Sequence, residues 1–293
     1  MAQIPKNYLD AVVSIGIKEN DKYQSLATGF LVGFFLKKES ETSNLYRVVL
    51  VTNRHVFEGK KQVFLRFNLN AGISKAYQVA LEDQHGKKWL AHKNPNVDLA
   101  VLRINFNWLK NDEKASCAFI QEENFAYAET IKEKEILPGE SVFALGFPLG
   151  LAGDAQNYVI VKGGVIARLD EEIIQRKCAF IIDSNIFPGN SGGPVILKTD
   201  MNHLKNTKPI EKAYLMGVIS SYINYRDVAV SQQTQQVRVV FNENSGLAYV
   251  VPIDFVKEVA KEIIDASKEE VKPEKVELEN ADPKEVPPAS PSC

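Results

Sequence analysis

The residues best suited to chemistry lie in the stretch FPGNSGGPVI, residues 187–196, where small residues surround Ser191. Glycine and proline interrupt helices and strands, so this stretch predicts a tight turn that exposes the serine hydroxyl. Gly189 has no side chain and can direct its own N–H and that of Ser191 into one pocket. A hydroxyl beside two such donors can attack a carbonyl group and stabilise the resulting oxyanion. The alternative is an ordinary Gly-Ser surface loop, because short motifs recur by chance.

Two further segments supply the partners that a nucleophilic serine needs. His55 ends the apolar run VVLVTNRHVF, residues 48–57, and Asp98 begins the run DLAVLRI. A neutral imidazole can take the serine proton and return it to a leaving amine, while a carboxylate holds the other ring nitrogen. Alone, each residue would be assigned to a solvated loop. Together, in the order His, Asp, Ser and at the ends of predicted strands, they indicate a catalytic triad.

Short β-strands are predicted to position these residues. Apolar runs rich in β-branched residues recur at short spacing, which favours an all-β fold. Six runs between residues 11 and 104 fit one small antiparallel barrel, and later runs between 141 and 252 fit a second one. We therefore expect two six-stranded barrels, with the active cleft between them.

The segments outside the predicted strands divide the chain. We expect residues 1–110 to form the half with His55 and Asp98, and residues 111–266 to form the connection, the second barrel with Ser191 and a terminal helix. Residues 267–293 are rich in Glu, Lys and Pro and predict a disordered tail. Within the second half, two polar loop insertions are predicted at 199–211 and 224–235. An apolar stripe that starts after Asp254 predicts the helix, with Asp254 as its N-cap.

Five motifs carry a resemblance to a known family: TGFLV at 28–32, TNRHVF at 52–57, DLAVLRI at 98–104, LGFPLG at 145–150 and GNSGGPV at 189–195. Together they resemble the trypsin-like peptidase domain, of chymotrypsin type, and are most similar to its HtrA/Deg branch without the PDZ domain. The resemblance implies a serine endopeptidase that works through an acyl-enzyme. It implies that Ser191 is the nucleophile, His55 the base and then the acid, and Asp98 the orienting carboxylate. The backbone amides of Gly189 and Ser191 would form the oxyanion hole.

The resemblance also suggests which residues bind substrate. The base of the first specificity pocket would be Asn185, and Ser220 and Ser221 would run beside the substrate backbone. Tyr222 would stand where deep-pocket enzymes have a glycine, and it would fill the pocket. An uncharged Asn185 cannot compensate a buried cation for its lost hydration. We therefore expect a small or medium uncharged residue, such as Ala, Val or Leu, before the cut.

Asn190 occupies the position at which secreted trypsin-like zymogens have an aspartate that pairs with a new amino terminus. An uncharged amide cannot form that ion pair, so the resemblance implies activation without cleavage at the amino terminus. The main alternative is a peptide-binding or scaffold protein of the same fold, with little or conditional turnover. Labelling of Ser191 by a fluorophosphonate would separate the two functions. An esterase on the same fold would also label, and comparing peptide with ester turnover would identify it.

Composition limits the partners. The chain has 293 residues and a formal net charge of −2, which favours neither nucleic acid nor an anionic membrane as a partner. Its amino terminus lacks the pattern of a signal peptide, and the three cysteines do not form a disulfide framework, so we expect a cytoplasmic protein. None of the three other histidines, His85, His92 and His203, has a cysteine or carboxylate partner at ligand spacing, so we expect no metal and no cofactor. We expect peptide or unfolded-protein substrates, and leave open whether the chain is a monomer or an HtrA-like homo-oligomer.

Overall fold

The computed structural model describes residues 4–38, 40–41, 44–200 and 208–269. The tail expected at 267–293 therefore lies almost entirely outside the described residues, as do residues 201–207 of the first polar insertion. The last helix continues to Glu269, so its backbone includes the first three residues of that expected tail.

The first half is an eight-stranded sheet with a small separate hairpin. Its strands are β1 (Val12–Glu19), β2 (Lys22–Lys38), β3 (Asn44–Thr52), β4 (Gln62–Asn68), β5 (Ser74–Ala80), β6 (Glu82–Asp83), β7 (Gly86–Lys87), β8 (Trp89–Ala91), β9 (Ala100–Arg103) and β10 (Ile120–Gln121). The sheet order is β5-β4-β1-β2-β3-β9-β8, β10 pairs with β2, and β6 pairs only with β7. Strand β10 thus belongs to this sheet although it lies beyond the boundary expected at residue 110.

The barrel predicted for the first half is confirmed only in part, because its strands form a sheet whose two ends are joined through the β6–β7 hairpin. Its terminal strands β5 and β8 are not hydrogen-bonded to each other, and β8 has only three residues. The chain that follows β5 and the chain that precedes β8 do pair, through the hairpin of β6 and β7 and a hydrogen bond from the Lys88 N–H to the Leu81 carbonyl at 2.9 Å. The two ends of the sheet are therefore connected by this short hairpin rather than by a ladder between β5 and β8.

The second half is a closed barrel, as the sequence predicted. Its strands are β11 (Ser141–Gly146), β12 (Ile160–Arg168), β13 (Phe180–Asp183), β14 (Pro194–Leu197), β15 (Tyr214–Val230) and β16 (Val237–Pro252), in the order β11-β12-β13-β16-β15-β14. The segment 224–235, expected as a polar loop, lies instead mostly in a long ribbon. There β15 and β16 remain paired from Asn224↔Asn244 to Val230↔Val237.

Six α-helices connect and cover the strands in the described part of the chain. They are α1 (Lys6–Asp10), α2 (Arg54–Phe57), α3 (Phe106–Asn111), α4 (Ala128–Lys134), α5 (Glu171–Lys177) and α6 (Ile253–Glu269); single 3₁₀ turns lie at Glu122–Asn124 and Pro148–Gly150. The predicted terminal helix is present, but Asp254 lies inside its first turn rather than before it. The Asp254 carboxylate accepts from the Ala128 N–H at 3.0 Å and so binds the start of α4. None of the described helices is long and apolar enough to cross a membrane.

Three apolar clusters hold the fold together. One fills the curled sheet around Leu31, Leu50 and Leu65, and one fills the barrel around Ala144 and Val250. The third joins both halves and α6, with members that include Phe30, Val51, Leu145, Val218 and Val256. Burial of side chains of this size contributes about 1.5–3 kcal/mol each, so the shared cluster fixes the two halves against each other. His55 and Asp98 of the first half meet Ser220 and Ser191 of the second half at the face between the two.

Candidate active site

His55 and Asp98 meet in a double hydrogen bond. His55 lies on the short helix α2, directly after β3, and Asp98 lies in the loop between β8 and β9. The His55 ring nitrogen Nδ1 is 2.7 Å from Asp98 Oδ2, and the His55 backbone N–H donates to Asp98 Oδ1 at 3.1 Å. This two-point contact fixes the orientation of the imidazole and leaves Nε2 free to face the cleft, where the histidine side chain is 52% exposed.

The loop that carries Asp98 is itself anchored. Val97 and Leu99 on either side of it are fully buried. The buried Asn53, just before α2, donates through Nδ2 to the Asp98 carbonyl at 2.8 Å. The Arg54 guanidinium donates to the carbonyl oxygen of His92 in the same loop. The end of β3 and the Asp98 loop therefore hold each other at a fixed distance.

Ser220 connects Asp98 to Ser191. Its hydroxyl donates to Asp98 Oδ2 at 3.1 Å, and its carbonyl accepts from the Ser191 hydroxyl at 3.2 Å. Among the described residues, the Ser191 hydroxyl makes no hydrogen bond to the His55 ring. The structure therefore brings all three predicted triad residues to one place, but it directs the serine hydroxyl at β15 rather than at the imidazole.

Electrostatics favour an ionised Asp98. Burial acts to raise the pKa of Asp98, but hydrogen bonds from the His55 ring, the His55 backbone and the Ser220 hydroxyl outweigh it and hold the pKa below its usual value. The ionised carboxylate accepts the hydrogen on Nδ1 of the His55 ring and so fixes which ring nitrogen faces Asp98.

The turn before Ser191 has a defined geometry. The Asn190 N–H donates to the Phe187 carbonyl at 3.0 Å, and Gly189 has φ +97°. Proline at the second position and glycine with positive φ at the third define a type II turn. The Pro188 carbonyl accepts from the Leu149 N–H at 2.7 Å. Since that carbonyl and the Gly189 N–H belong to one trans peptide and point in opposite directions, the Gly189 N–H points away from Leu149.

The N–H groups of Gly189 and Ser191 make no hydrogen bond to any described residue. Two neighbouring donors without a partner, in an ordered turn beside a serine, form a ready site for an anionic oxygen. A Cβ at Gly189 would lie 2.3 Å from the Phe147 carbonyl oxygen, so the turn accepts no other residue there. This close approach accounts for the glycine.

A buried threonine that the sequence analysis did not assign holds this turn from the other half of the molecule. The Thr28 hydroxyl donates to the Gly189 carbonyl at 2.6 Å and accepts from the Phe147 N–H at 3.0 Å. The Thr28 N–H donates to the Ser191 carbonyl at 3.0 Å, and the Thr52 hydroxyl donates to the Thr28 carbonyl at 2.8 Å. Its signal in the sequence was a lone threonine before glycine at the start of the apolar run TGFLV.

The residues expected to bind substrate differ in burial. Ser221, next to Ser220, is exposed, while Tyr222 is half-buried and packs against the apolar cluster of the barrel. Asn185 is exposed, so it is not enclosed in the way that the floor of a deep pocket would be.

The described residues include no cluster of histidine, cysteine and carboxylate side chains that could hold a metal ion. His92 makes a hydrogen bond instead, with Nε2 2.8 Å from Glu258 Oε2 on α6. The two cysteines in the described part of the chain, Cys117 and Cys178, are buried and unpaired. Burial raises the pKa of the Cys117 thiol to about 11, so it is not a nucleophile at neutral pH.

Comparison with known proteins agrees with this arrangement. Residues 27–201 match the family described as "Trypsin-like peptidase domain". The chain is 22% identical to "Serine protease HtrA-like" of Staphylococcus haemolyticus (strain JCSC1435) over 88% of its length, and 25% identical to "Serine protease Do-like HtrA" of Bacillus subtilis (strain 168) over 85%.

The chain spans 34% and 42% of the length of these two relatives. Among solved structures, the MamO protease domain of Magnetospirillum magneticum is similar at 14% identity with a TM-score of 0.47, covering 86% of this chain and 96% of that one. The match to the family extends over more than half of the chain and includes the segments of His55, Asp98 and Ser191. The chain belongs to the trypsin-like peptidase family and is similar to its HtrA-like members.

Proposed function

We propose that the protein is a serine endopeptidase that hydrolyses peptide bonds through an acyl-enzyme. The observation that carries the proposal is the continuous set of hydrogen bonds from His55 through Asp98 and Ser220 to Ser191. It joins a base, an orienting carboxylate and a hydroxyl from three separate segments. In this proposal the first half supplies His55 and Asp98, the barrel supplies Ser191, and the substrate lies between them.

The steps follow from the chemistry of the groups. Ser191 Oγ turns from the Ser220 carbonyl towards His55 and attacks the substrate carbonyl carbon, while its proton passes to His55 Nε2. The oxyanion accepts from the N–H groups of Gly189 and Ser191, and Asp98 stabilises the imidazolium. His55 then gives the proton to the leaving amine, which departs and leaves the acyl-enzyme. A water molecule then gives a proton to His55 Nε2 and attacks the acyl carbon. The bond between that carbon and Ser191 Oγ breaks, His55 returns the proton to Oγ, and the carboxylic acid product leaves.

We propose a small or medium uncharged residue, such as Ala, Val or Leu, before the cut. Tyr222 reduces the space available in the pocket, and Asn185 provides no charge for Lys or Arg. Ser220 and Ser221 lie beside the substrate backbone. Cleavage mapping on unfolded casein tests this preference, and cuts mainly after Arg or Lys would refute the pocket while leaving the triad untouched.

A second function is favoured by one observation. The Ser191 hydroxyl donates to Ser220 rather than to His55, and a protein that only binds peptides could rest permanently in this state. The ordered turn at Gly189 supports the enzyme instead, because the pair of unpartnered donors is already present without a peptide. A peptide-binding or scaffold protein would retain peptide affinity with little turnover.

A fluorophosphonate probe decides between the two functions. The full chain should be labelled, while Ser191→Ala and His55→Ala should not, and both variants should lose peptide turnover by on the order of 10⁴-fold. Melting temperature should change little, because both side chains border the cleft and contribute little packing. Retained turnover in Ser191→Ala would exclude the assignment, and an unlabelled wild type would favour the binding protein.

A further inference from the structure

The ribbon of β15 and β16 extends the barrel on the side of the candidate active site. We define the ribbon as residues 224–244, in which the two strands remain paired and are joined by a turn at 231–236. Before the ribbon, β15 passes Ser220, which lies two residues after the last position at which β14 pairs with β15. Because the Ser220 carbonyl accepts from the Ser191 hydroxyl, β15 leads from beside Ser191 into the ribbon.

One edge of this extension has no strand beside it. Strand β14 pairs with β15 only over Tyr214–Val218, and the Ser191 loop binds Ile219 through Gly192 and Gly193. From Ser220 to Val230, β16 covers one edge, and in the described part of the chain no strand covers the other. This stretch spans about 35 Å at the rise of an extended strand. A free edge of that length presents a row of backbone donors and acceptors that can pair with another extended chain.

The ribbon also exposes apolar side chains. Seven of the large apolar side chains that are exposed in the described residues lie on it: Tyr225, Val228, Val230, Val237, Val239, Val240 and Phe241. Its charged residues are Arg226, Asp227, Arg238 and Glu243, which cancel in sign. An uncharged, apolar, extended polypeptide fits both the backbone edge and these side chains.

We propose that the free edge of β15 along the ribbon binds the part of an unfolded polypeptide that precedes the scissile bond, as an added antiparallel strand. This inference rests on the proposed function and names its substrate class: apolar, extended and long. Because an antiparallel partner of β15 runs towards Ser220, its carboxyl end reaches Ser191 while its amino-terminal part follows the ribbon. At one partner per strand residue, the ribbon contacts roughly the fifth to the eleventh residue before the cut.

Continuity with the site favours a substrate over a second copy of this chain. The same edge begins at Ser220, which binds both Asp98 and Ser191. A second copy paired along this edge would lay its own strand across Ser220 and close the cleft. A substrate must lie there in order to reach Ser191. The edge therefore suits a transient partner that enters at the ribbon and ends at the serine.

Peptide binding to Ser191→Ala in the full chain tests the proposal without requiring turnover. The probes are fluorescein-labelled peptides of alternating valine and serine that end in alanine. The short peptide has about four residues, which cover β15 from Ser220 up to the ribbon, and the long peptide has about eleven, which continue along the ribbon to Val230. Fluorescence anisotropy should show the longer peptide binding about tenfold tighter or more, because several added strand pairs each contribute a little. Equal affinity of the two peptides would overturn the proposal.

A variant with a shortened ribbon is the matched control. Arg226 and Asn242 are register partners, so Asn-Gly in place of residues 227–241 can close the hairpin between them. In Ser191→Ala with this change, the long peptide should bind no better than the short one, while the short one keeps its affinity. A retained preference for the long peptide would contradict a role of the ribbon.

N-methylation of alternate backbone nitrogens in the upstream half of the long peptide tests pairing on the unaltered ribbon, and it also serves if the shortened variant does not fold. It should remove the length advantage, and a methylated peptide that binds as tightly would overturn strand addition. If sedimentation showed that the full chain is a dimer and that the variant with the shortened ribbon is a monomer, the edge would bind a second copy of the chain. That result would refute the proposal. Failure of the proposed function gives a different result: no fluorophosphonate labelling, with length-dependent peptide binding intact.

Discussion

Replacing Thr28 by valine tests whether the ordered turn at Gly189 depends on the other half of the molecule. Thr28 is fully buried on β2, and its hydroxyl bridges the Gly189 carbonyl and the Phe147 N–H. Valine has nearly the same shape but lacks the hydroxyl. The substitution therefore removes two hydrogen bonds without leaving a cavity, and it keeps the backbone bond from residue 28 to Ser191.

The cost follows from the two groups left unpaired. The carbonyl of Gly189 and the N–H of Phe147 are both buried, and an unsatisfied buried group costs about 1–3 kcal/mol. Thr28→Val should therefore lower the free energy of unfolding by roughly 2–4 kcal/mol. For a domain of this size, that corresponds to a melting temperature lower by about 5–15 °C. The protein should still fold, so its activity can be measured.

Activity should fall through kcat rather than through KM. Without its anchor, the peptide between Gly189 and Asn190 can rotate, which changes the backbone dihedral angles of Gly189. The neighbouring peptide, which carries the Gly189 N–H, then no longer holds that N–H constantly towards the oxyanion. The decrease in kcat cannot exceed the decrease caused by complete removal of one oxyanion donor, so kcat should fall by about 10-fold to 10³-fold. Steady-state kinetics on a short peptide, below the melting transition of the variant, measure the two constants separately.

Thr28→Ser is the matched control, because serine keeps the hydroxyl and loses only a methyl group. It should restore most of kcat, and fluorophosphonate labelling should be slow in Thr28→Val and near normal in Thr28→Ser. If Thr28→Val kept the wild-type kcat, the hydroxyl would have no positioning role. If Thr28→Ser lost as much as Thr28→Val, packing of the methyl group would explain the effect instead.

Three further substitutions test the site. Asp98→Asn should lower kcat by on the order of 10⁴-fold. Since the fold lowers the pKa of Asp98, the stability that this carboxylate adds is present above its unfolded pKa and is lost as pH falls through the lowered pKa. Urea denaturation should therefore show the wild type more stable than Asp98→Asn at about pH 6 and not at about pH 2. Gly189→Ala should abolish labelling, because its Cβ would lie 2.3 Å from a carbonyl oxygen; labelling at the wild-type rate would refute the turn geometry. Tyr222→Gly should shift casein cuts towards larger residues such as Phe, and an unchanged cleavage map would show that Tyr222 does not fill the pocket.

The strands could be predicted from the sequence because their signals are local. Alternation of apolar and polar residues and the β-branched content placed most strands of both halves within a few residues, and the second barrel closes as predicted. Closure itself is a global property, since it depends on whether the first and last strands meet with enough residues to pair. In the first half β8 has only three residues, and the ends of the sheet are joined by the separate β6–β7 hairpin, which no local pattern predicted.

Two other predictions were wrong because the local sequence is compatible with two different structures. The segment 224–235 was predicted as a polar loop, but its first half pairs with β16, from Asn224↔Asn244 to Val230↔Val237, and this pairing makes it a strand. Asp254 has the residue type of an N-cap, yet its carboxylate binds the Ala128 N–H of another helix. In both cases a contact distant in the sequence decided the outcome.

In the candidate site, too, some residues could be predicted from short sequence motifs, whereas others are identified only by contacts that are distant in the sequence. His55, Asp98 and Ser191 could be predicted because each stands at the end of an apolar strand in a short motif, and their order along the chain is itself informative. Thr28 could not be predicted, because what it binds is a backbone carbonyl of Gly189, and backbone atoms carry no residue identity. Ser220 was predicted only to run beside the substrate backbone, and its hydrogen bond to Asp98 was not predicted. The reacting groups can therefore be predicted from residue types, whereas the groups that hold them can be identified only once β2 and β15 are placed on either side of Ser191.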